Sequence, residues 1–369
     1  MSQLFNNAFQ DLPVLITGHT GFKGSWLTTW LVNLGAKVTG FSLADPPTTP
    51  SNFTVANLHE HIIDIRGDVR DLSAIRHTIE TYRPVIVFHL AAQPIVLHSY
   101  EQPHLTFHTN AGGTINLLES VRTTSSVRAV ISITTDKVYE DREWVWGYRE
   151  NDALGGSDPY SASKAMAEIV IKSYRDSFFP PQRYAQHQVA LASTRAGNVI
   201  GGGDFADYRL VPDCMRALMA GETIQIRNPQ SIRPWQLVLE PLSGYLWLAA
   251  NLMKHGPQFA TAWNFGPQEH TGVTTRSLAE MLISLWGSGE WEHIETDKIK
   301  KETGMLRLSW EKAATELQWQ PVYTWQEALA EIVAWFKELE QGSDMYQVGQ
   351  EHISAYVDKA RQLKLPWVK

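Results

Sequence analysis

The chain has 369 residues, of which 43% are hydrophobic and 19% charged, and these proportions exclude a disordered, collagen-like or coiled-coil protein. Its net charge of −7 argues against nucleic acid or an anionic membrane as the main partner. The single cysteine, Cys214, excludes an internal disulfide and any zinc site built on cysteines. No apolar run reaches the roughly 20 residues that span a bilayer and the first residues lack a signal pattern, so we expect a cytoplasmic protein.

Short apolar runs alternate with helical patterns along the first half of the chain. The apolar runs are residues 14–18, 36–41, 62–65, 85–90, 127–134 and 189–195. The helical patterns between them are residues 23–34, 71–82, 105–121 and 161–178. Continuous apolar strands separated by helices indicate βαβ units, and hence a parallel sheet covered on both faces. The sequence therefore predicts a doubly wound parallel α/β (Rossmann) domain over residues 1–195.

After Arg195 the pattern becomes irregular. A glycine cluster at Gly201–Asp204 is followed by prolines that predict loop-rich chain, at positions 212, 229, 234 and 241. Later come a predicted strand near Trp263–Phe265 and predicted helices near residues 275–286 and 325–339. We therefore predict a smaller, mixed α/β C-terminal substrate domain over residues 196–369, with part of residues 232–262 belonging to the first domain.

A glycine-rich turn, Gly18-His-Thr-Gly-Phe-Lys-Gly24, joins the first predicted strand to the first predicted helix. Glycines in this context let the backbone turn tightly and approach a pyrophosphate, which then rests on the N-terminus of the helix. Lys23 either adds a positive charge for the phosphates or is a solvated lysine of the first turn. The sequence therefore predicts a dinucleotide site with contacts from Gly18, Thr20, Gly21, Phe22, Lys23 and Gly24.

The choice between NAD and NADP depends on the end of the second strand, where an acidic residue would bind the ribose 2′-hydroxyl. Asp45 comes slightly late for that role, and no arginine stands there to meet a 2′-phosphate. We therefore expect NAD. Asp68, after the third strand, either contacts the adenine or serves at the N-terminus of the next helix. Further cofactor contacts are expected after the third and fourth strands, from Val69, Leu90, Ala91 and Gln93.

Tyr160-Ser-Ala-Ser-Lys164 places a tyrosine and a lysine on one face of a predicted helix. A free phenol has a pKa near ~10, and a neighbouring ammonium lowers it, which would make Tyr160 a usable base near neutrality. Thr135 stands at the carboxyl end of a predicted strand, the edge where open α/β sheets bind ligands. We expect Tyr160 and Thr135 at one substrate hydroxyl and Lys164 beside the phenol, with Tyr160 and Lys164 also touching the cofactor.

These features together resemble the extended short-chain dehydrogenase/reductase family over nearly the whole chain. Within that family, residues 18–24, 134–139, 195–204 and 233–236 resemble the branch of CDP-glucose 4,6-dehydratases. Leu237 departs from the pattern of this branch, where a histidine is expected. The resemblance implies CDP-D-glucose as the substrate and an NAD that stays bound. Related dehydratases carry glutamate at the position of Lys137, and epimerases carry small residues at both Asp136 and Lys137.

The resemblance also implies a reaction in three stages: oxidation of the glucose at C4, loss of water across C5 and C6, and reduction at C6. Tyr160 would take the proton of the 4-hydroxyl. Elimination needs an acid at the C6 hydroxyl and a base at the C5 hydrogen, and these roles fall to Asp136 and Lys137. Neighbours in a strand face opposite ways, so we expect the chain to have left the strand before this pair.

The sugar-nucleotide side of the site is implied by the same resemblance. Asn198, Arg209 and Arg233 would meet the diphosphate, since arginine forks suit phosphate oxygens, although each arginine could instead belong to a structural ion pair. The choice of cytosine over other bases rests on the resemblance alone. Helices near residues 105–121 and 161–178 resemble those that form a four-helix dimer interface in this family, so we expect a homodimer or a higher oligomer.

Two other functions stay open on the sequence. Another nucleotide-sugar dehydratase or a 4-epimerase would use the same fold, although the Asp136–Lys137 pair disfavours an epimerase. A non-catalytic NAD-sensing protein would need no proton-transfer groups, and the set of Thr135, Tyr160 and Lys164 argues against it. His59 and His61 have ligand-like spacing but no third partner, so we expect no metal site.

Overall fold

A computed structural model describes residues 4–268, 273–295 and 306–369. Its centre is a seven-stranded sheet in which every neighbouring pair of strands is parallel. The strands are β1 (Pro13–Thr17), β2 (Lys37–Ser42), β3 (Ile63–Arg66), β4 (Ile86–His89), β5 (Ala129–Ile133), β6 (Ala190–Arg195) and β7 (Ala262–Asn264). All six apolar runs of the first half form strands, so the predicted doubly wound α/β fold is confirmed.

The order of the strands across the sheet is β7-β6-β5-β4-β1-β2-β3. The chain winds to one side of β1 through β2 and β3, and then to the other side from β4 onward. Open α/β sheets bind ligands at such a switch point, outside the carboxyl ends of the strands. The predicted strand near Trp263 is β7, which pairs in parallel with β6 and so extends this same sheet.

Helices cover both faces of the sheet and build much of the C-terminal region. Those of ten or more residues within the described ranges are α1 (Phe22–Asn33), α2 (Leu72–Tyr82), α3 (Gly113–Arg122), α4 (Pro159–Ser177), α5 (Leu210–Ala220), α6 (Leu239–His255), α7 (Thr275–Trp286), α8 (Trp325–Glu340) and α9 (Met345–Gln362). Side chains that accept backbone N–H bonds cap five of these helices, from Asp71, Asp158, Thr274, Thr324 and Asp344.

Shorter elements connect these helices and strands. Helical segments of one or two turns lie at Leu4–Asn7, Asn52–Val55, Leu58–Glu60, Val96–Glu101, Pro103–Phe107, His108–Gly112, Asp136–Val138, Pro181–Arg183, Tyr184–His187, Gly256–Phe259, Ala313–Leu317 and Pro366–Val368. Three two-stranded pairs join Val199–Ile200 to Gln236–Leu237, Ile224–Ile226 to Trp291–His293, and Ile232–Arg233 to Val273–Thr274. The predicted domain boundary after residue 195 stays a prediction.

Two segments that were predicted as loops from their prolines are helical. Pro212 is the third residue of α5, and Pro241 is the third residue of α6. The first N–H groups of a helix have no partner within the helix, so a proline in the first turn removes no hydrogen bond. The loop prediction was therefore wrong at these two positions. The sequence of α6 also has no amphipathic pattern, because residues 239–252 are all buried.

A buried carboxylate fastens the C-terminal helix α9 to the rest of the fold. Glu240, in the first turn of α6, accepts hydrogen bonds from the backbone N–H groups of Val322 at 2.9 Å and Tyr323 at 2.7 Å. It also accepts one from the hydroxyl of Tyr356 on α9, at 2.7 Å. Burial raises the pKa of Glu240 to about 7, although these donors oppose the shift. Glu240 is not among the predicted site residues, and its contacts serve packing.

Other predictions concern membranes, metals and the cysteine. Among the described residues, no helix is both long and apolar enough to cross a membrane. In the same ranges, no cluster of three or more His, Cys, Asp or Glu side chains is arranged to hold a metal ion. Cys214 is buried on α5, and burial raises the pKa of its thiol to about 12. This cysteine is therefore a packing residue.

Candidate active site

The glycine turn packs against the chain that follows β4, at the switch point of the sheet. Gly18 has a φ of +79°, and a Cβ atom there would lie 2.7 Å from the backbone nitrogen of Ala91. A Cβ atom on Gly24 would overlap the carbonyl oxygen of Gly18. Gly21 differs, because a Cβ atom there would meet only the Gly18 carbonyl oxygen, at 3.4 Å. Gly18 and Gly24 therefore serve the packing of the turn, and Gly21 faces open space.

The N-terminus of α1 fits an anionic ligand. Gly21 is its N-cap residue, and no side chain caps its first N–H groups. Burial, together with the charge of Arg209, lowers the pKa of the Lys23 ammonium in the first turn to about 8, against the pull of Asp136. The uncapped N–H groups of α1 can donate to phosphate oxygens, and a negative charge nearby would stabilise the Lys23 ammonium. Both features suit the diphosphate of a dinucleotide.

The predicted contacts after β4 lie against this turn. Leu90 and Ala91 follow the strand directly, and the backbone N–H of Ala91 donates to Thr17 Oγ1 at 3.3 Å. The backbone N–H of Gln93 donates to Asn110 Oδ1 at 2.8 Å, so the segment is held against the helical segment His108–Gly112 that precedes α3. Thr20 and Val69 are buried. The ring of Phe22 is placed differently, because it packs against Gly201 of the C-terminal region.

The carboxylate of Asp68 interacts with Arg70. This carboxylate accepts a hydrogen bond from the backbone N–H of Arg70 at 2.8 Å and forms an ion pair with the guanidinium of the same residue. Hydrogen bonds from Arg70 hold the pKa of Asp68 below its usual range. The cap of α2, the other role weighed for Asp68, belongs to Asp71. Adenine contact from Asp68 stays a prediction.

A charged cluster beside the turn was missed from the sequence. His19 Nε2 lies 2.9 Å from Asp64 Oδ1, and its Nδ1 lies 3.0 Å from Ser42 Oγ. Arg66 donates to the carbonyl oxygens of Leu43 and Ala44, at 3.1 Å each. An arginine therefore does stand at the end of β2. It comes from β3, where Arg66 is paired in register with Ser42, so only the strand pairing could have revealed it.

The segment after β5 leaves the strand at once, as expected. β5 ends at Ile133, and Asp136–Val138 form a single 3-10 turn whose N-cap is Thr135. The Thr135 hydroxyl accepts from the backbone N–H of Lys137 at 3.4 Å and donates to Asp136 Oδ1 at 2.9 Å. The expectation that the chain has left the strand before the Asp–Lys pair is confirmed.

Asp136 is enclosed and Lys137 is half-buried. Asp136 is 4% exposed, and a Cβ atom on Gly197 would overlap its carboxylate. Burial raises the pKa of Asp136, although the charges of Lys137 and Lys23 oppose the shift. The protonated form of this side chain is therefore easier to populate than that of a free aspartate.

Tyr160 and Lys164 occupy the first two turns of α4, and both are buried. Burial raises the pKa of Tyr160 to about 12, although a hydrogen bond with Thr135 and the charge of Arg209 oppose the shift. Lys164 Nζ donates to the carbonyl oxygen of Ile133 at 3.1 Å, and burial lowers its pKa to about 8. The expected lowering of the Tyr160 pKa is therefore wrong for the chain by itself, because burial outweighs the neighbouring charges.

The three residues predicted to bind the diphosphate, Asn198, Arg209 and Arg233, differ in their contacts within the fold. Arg209 forms an ion pair with Asp204 at 3.0 Å, and its charge acts on both Lys23 and Tyr160. Asn198 has a φ of +47°, and its carbonyl oxygen accepts from the backbone N–H of Gln236 at 3.2 Å. Arg233 Nη1 donates to the carbonyl oxygen of Ile232 at 2.9 Å. The structure thus brings Arg209 to the side of the buried tyrosine.

A parallel sheet with this strand order, a glycine bend at its switch point and a buried Tyr–Lys pair on α4 define an extended short-chain dehydrogenase/reductase. A sequence profile described as GDP-mannose 4,6 dehydratase matches residues 15–332. The chain therefore belongs to the GDP-mannose 4,6 dehydratase family.

Relatives and solved structures agree with this assignment. A CDP-glucose 4,6-dehydratase of Salmonella typhimurium is 47% identical over 351 residues, covering 95% of this chain and 98% of that protein. A dTDP-glucose 4,6-dehydratase of Xanthomonas campestris is 24% identical and covers 87% of this chain and 92% of that protein.

Two solved structures share the fold. A UDP-glucose 4-epimerase of Thermotoga maritima with UDP-glucose has a TM-score of 0.77 at 23% identity, covering 89% of this chain and 100% of that one. A dTDP-glucose 4,6-dehydratase of Bacillus anthracis in complex with NAD has a TM-score of 0.73 at 21% identity, covering 91% and 99%. Likeness at this identity shows the fold alone.

Proposed function

We propose that this chain converts CDP-D-glucose into CDP-4-dehydro-6-deoxy-D-glucose and water, with an NAD that stays bound through turnover. The observation that carries the proposal is the turn after β5, in which Thr135 is hydrogen-bonded to Tyr160, Asp136 is buried, and Lys137 follows directly. Elimination of water needs an acid at the C6 hydroxyl and a base at the C5 hydrogen, whereas epimerisation at C4 needs only the base at the 4-hydroxyl. The 47% identity to a CDP-glucose 4,6-dehydratase over 95% of the chain supports the same reaction.

The glycine turn and the N-terminus of α1 would hold the pyrophosphate of NAD, with Lys23 as the neighbouring cation. Leu90, Ala91 and Gln93 after β4 would line the same cofactor. A bound NAD would supply a hydride acceptor for C4 of the sugar and a hydride donor for C6. The chain's own residues then have to move protons, and that task falls to the groups on the turn after β5 and on α4.

Tyr160 would take the proton of the 4-hydroxyl as C4 is oxidised. The hydrogen bond with Thr135 and the charge of Arg209 are the contacts that favour its phenolate against burial. Lys164, one helical turn further, supplies a buried positive charge at the same end of α4. Thr135 would share the substrate hydroxyl, so that the sugar's O4 is fixed between two oxygen atoms of the chain.

Asp136 would give its proton to the departing C6 hydroxyl, and Lys137 would take the proton from C5. Burial of Asp136 favours the neutral acid that this step needs. A neutral acid beside a neutral amine has the same proton count as the ion pair, so the two forms interconvert without exchange with solvent. Asn198, Arg209 and Arg233 would then hold the diphosphate of the substrate.

Incubation with NAD and each of CDP-, dTDP-, UDP- and GDP-glucose tests this function. CDP-glucose is expected to give a keto sugar that absorbs in base, with the largest kcat/KM of the four. A larger kcat/KM with another nucleotide would make the chain a dehydratase of that nucleotide. Formation of the C4 epimer without a keto product would make it an epimerase. Binding of NAD with neither product would make it a sensor.

Replacing Gly21 with alanine separates cofactor binding from folding. The added methyl group meets only the Gly18 carbonyl oxygen at 3.4 Å, so the melting temperature is expected to stay near that of the parent. The same methyl group would stand where the pyrophosphate approaches, and we expect NAD to bind about 10–100-fold more weakly, measured by calorimetry. Gly24→Ala is the control that should lower the melting temperature itself. Unchanged NAD affinity in Gly21→Ala would move the pyrophosphate elsewhere.

We also propose a homodimer that forms through α3 and α4. Ile115 on α3 and Met166 and Ile169 on α4 expose 42%, 45% and 58% of their surface. Apolar side chains grouped on two neighbouring helices are typical of a covered surface. Two such helices from each copy would make the four-helix bundle that the family pattern implies.

Ile169→Glu is expected to convert this dimer to a monomer, because a carboxylate would be buried against the apolar face of the partner. Analytical ultracentrifugation measures the mass directly. Val145→Glu is the matched control, because Val145 is 67% exposed and belongs to neither helix. A dimer that survives Ile169→Glu, or one that Val145→Glu breaks, would place the interface on another surface.

We place this reaction in the cytoplasm. The chain has a single cysteine and so no internal disulfide, as is usual for proteins of a reducing compartment. Its acidic net charge of −7 gives it no general attraction to an anionic membrane surface. Fractionation of cells that express the full chain would test the location.

A further inference from the structure

Glu168 is a buried carboxylate on α4 that the proposed reaction does not use. It lies one helical turn after Lys164, which in turn lies one turn after Tyr160, so the three side chains share one face of the helix. Glu168 is 3% exposed and Lys164 is 6% exposed. An ionised carboxylate at this depth is costly unless it is paired and hydrogen-bonded, so its partners show what it is tied to.

The partners of Glu168 come from the carboxyl ends of β5 and β6. The Thr134 hydroxyl donates to Oε1 at 2.5 Å. The Ser193 hydroxyl donates to Oε2 at 2.8 Å, and Arg195 Nη2 donates to the same oxygen at 2.9 Å. One carboxylate on the helix therefore fixes two strand ends, through a hydrogen bond to one and a buried ion pair to the other.

These strand ends lead directly into the candidate site. Thr134 is followed by the turn that carries Thr135, Asp136 and Lys137. Arg195 is followed two residues later by Gly197, whose Cα packs against the Asp136 carboxylate. Glu168 thus connects α4, which carries Tyr160, to both of the chain segments that enclose Asp136.

The charge of Glu168 also acts on Lys164. Burial by itself would raise the pKa of Glu168, but the Arg195 charge and the three hydrogen bonds hold that pKa below its usual range, so the side chain is an anion. Burial lowers the pKa of Lys164 to about 8, and the charge of Glu168 opposes that shift.

Two further titratable groups from other elements face Lys164. His89 on β4 is neutral near pH 7, because burial and the charge of Lys164 lower its pKa to about 3. Lys23 on α1 is a second cation, and the charge of Lys164 contributes to lowering its pKa. On the other side, the charge of Arg195 lowers the pKa of Glu168, and the charge of Glu168 raises the pKa of Arg175. Glu168 is thus the anion in this set that keeps Lys164 charged.

We propose that Glu168 is a positioning residue that holds the Lys164 ammonium charged and ties α4 to the strand ends bearing Thr135 and Asp136. Its effect on Lys164 is a property of the chain alone. Its effect on turnover rests on the function proposed above.

Glu168→Gln tests this role, because glutamine keeps the shape of the side chain and removes its charge. The pKa of Lys164 can be followed by NMR of 13C-labelled lysine side chains, with Lys164→Met identifying the signal. We expect that pKa to fall by about one unit or more in Glu168→Gln. A lysine with a lower pKa loses its charge at a lower pH, so the alkaline limb of the kcat profile with CDP-glucose should move down by the same amount.

Glu240→Gln is the matched control, because Glu240 is also a buried carboxylate that accepts three hydrogen bonds. It is expected to lower thermal stability and to leave the Lys164 titration and the alkaline limb in place. If Glu168→Gln behaves in the same way, Glu168 is a structural residue only and the proposal is overturned. A parent chain that is inactive on CDP-glucose defeats the proposed function, but the NMR titration still decides the role of Glu168.

Loss of one partner of a buried ion pair can unfold a protein, whereas loss of both is often tolerated. If Glu168→Gln does not fold, the double variant Glu168→Gln/Arg195→Met removes the whole pair and must give the same fall in the Lys164 pKa. If the folded double variant has the same Lys164 pKa as the parent, the proposal is overturned.

Discussion

Tyr160→Phe is expected to lower kcat with CDP-glucose by about 10²–10⁴-fold and to leave KM within a few-fold of the parent value. The substitution removes one buried oxygen atom, the one placed to take the proton of the 4-hydroxyl. Thr135 remains in place, but a threonine hydroxyl is too weak a base to replace the phenol. The initial rate of keto-sugar formation, measured over a range of substrate concentrations, gives both constants.

Tyr245→Phe is the control for this experiment. Tyr245 is fully buried on α6 and lies in the main core, so its loss should affect stability and not kcat. Thermal unfolding of both variants shows whether either has lost its fold. A Tyr160→Phe variant that keeps kcat within about tenfold of the parent would show that another group takes the proton.

The local motifs of this site could be predicted from the sequence. The glycine turn and the Tyr-x-x-x-Lys spacing each lie within one turn or one helix, so their geometry follows from the backbone of a single element. The strand-end position of Thr135 followed from the length of the apolar run before it. The fold itself followed in the same way, because the strands of a buried parallel sheet are continuous apolar runs.

Side-chain contacts that depend on which strands pair, and in which register, could not be predicted from the sequence. Arg66 reaches the end of β2 only because β2 and β3 pair in the register that sets Ser42 beside it. Arg195 reaches Glu168 only because β6 lies next to β5 and both lie beneath α4. Neither the spacing nor the composition of the sequence carries that information, since the partners are separated by 27 residues in one case and 24 in the other.

The pKa of Tyr160 shows a second limit of the sequence. The spacing of Tyr160 and Lys164 predicts a lowered pKa, because it counts the charge of the neighbour and not the loss of water. In the folded chain burial is the larger effect, and it shifts both groups toward their neutral forms. A motif can therefore place a base and its partner correctly and still give the wrong direction for the pKa of the base.

Lys137→Met should abolish exchange of the C5 hydrogen while leaving the fold intact. Methionine keeps most of the length of the side chain but has no amine, and Lys137 is only half-buried, so little packing is lost. The test uses the product, CDP-4-dehydro-6-deoxy-D-glucose, in D₂O, because its ketone already makes the C5 hydrogen acidic. The parent is expected to exchange this hydrogen about 10²–10⁴-fold faster than the variant, measured by proton NMR against the spontaneous rate. Lys172→Met, which removes an exposed lysine of α4, is the control and should exchange normally.

Asp136→Asn gives the complementary result, and the two variants together separate acid from base. Asparagine has nearly the shape of aspartate, so it fits the tight contact with Gly197, but it cannot give a proton to the C6 hydroxyl. This variant should lose turnover of CDP-glucose by about 10²–10⁴-fold and still exchange the C5 hydrogen of the product, because Lys137 is intact. If Asp136→Asn stops the exchange and Lys137→Met does not, the two roles are reversed, and burial of Asp136 then raises the pKa of a base.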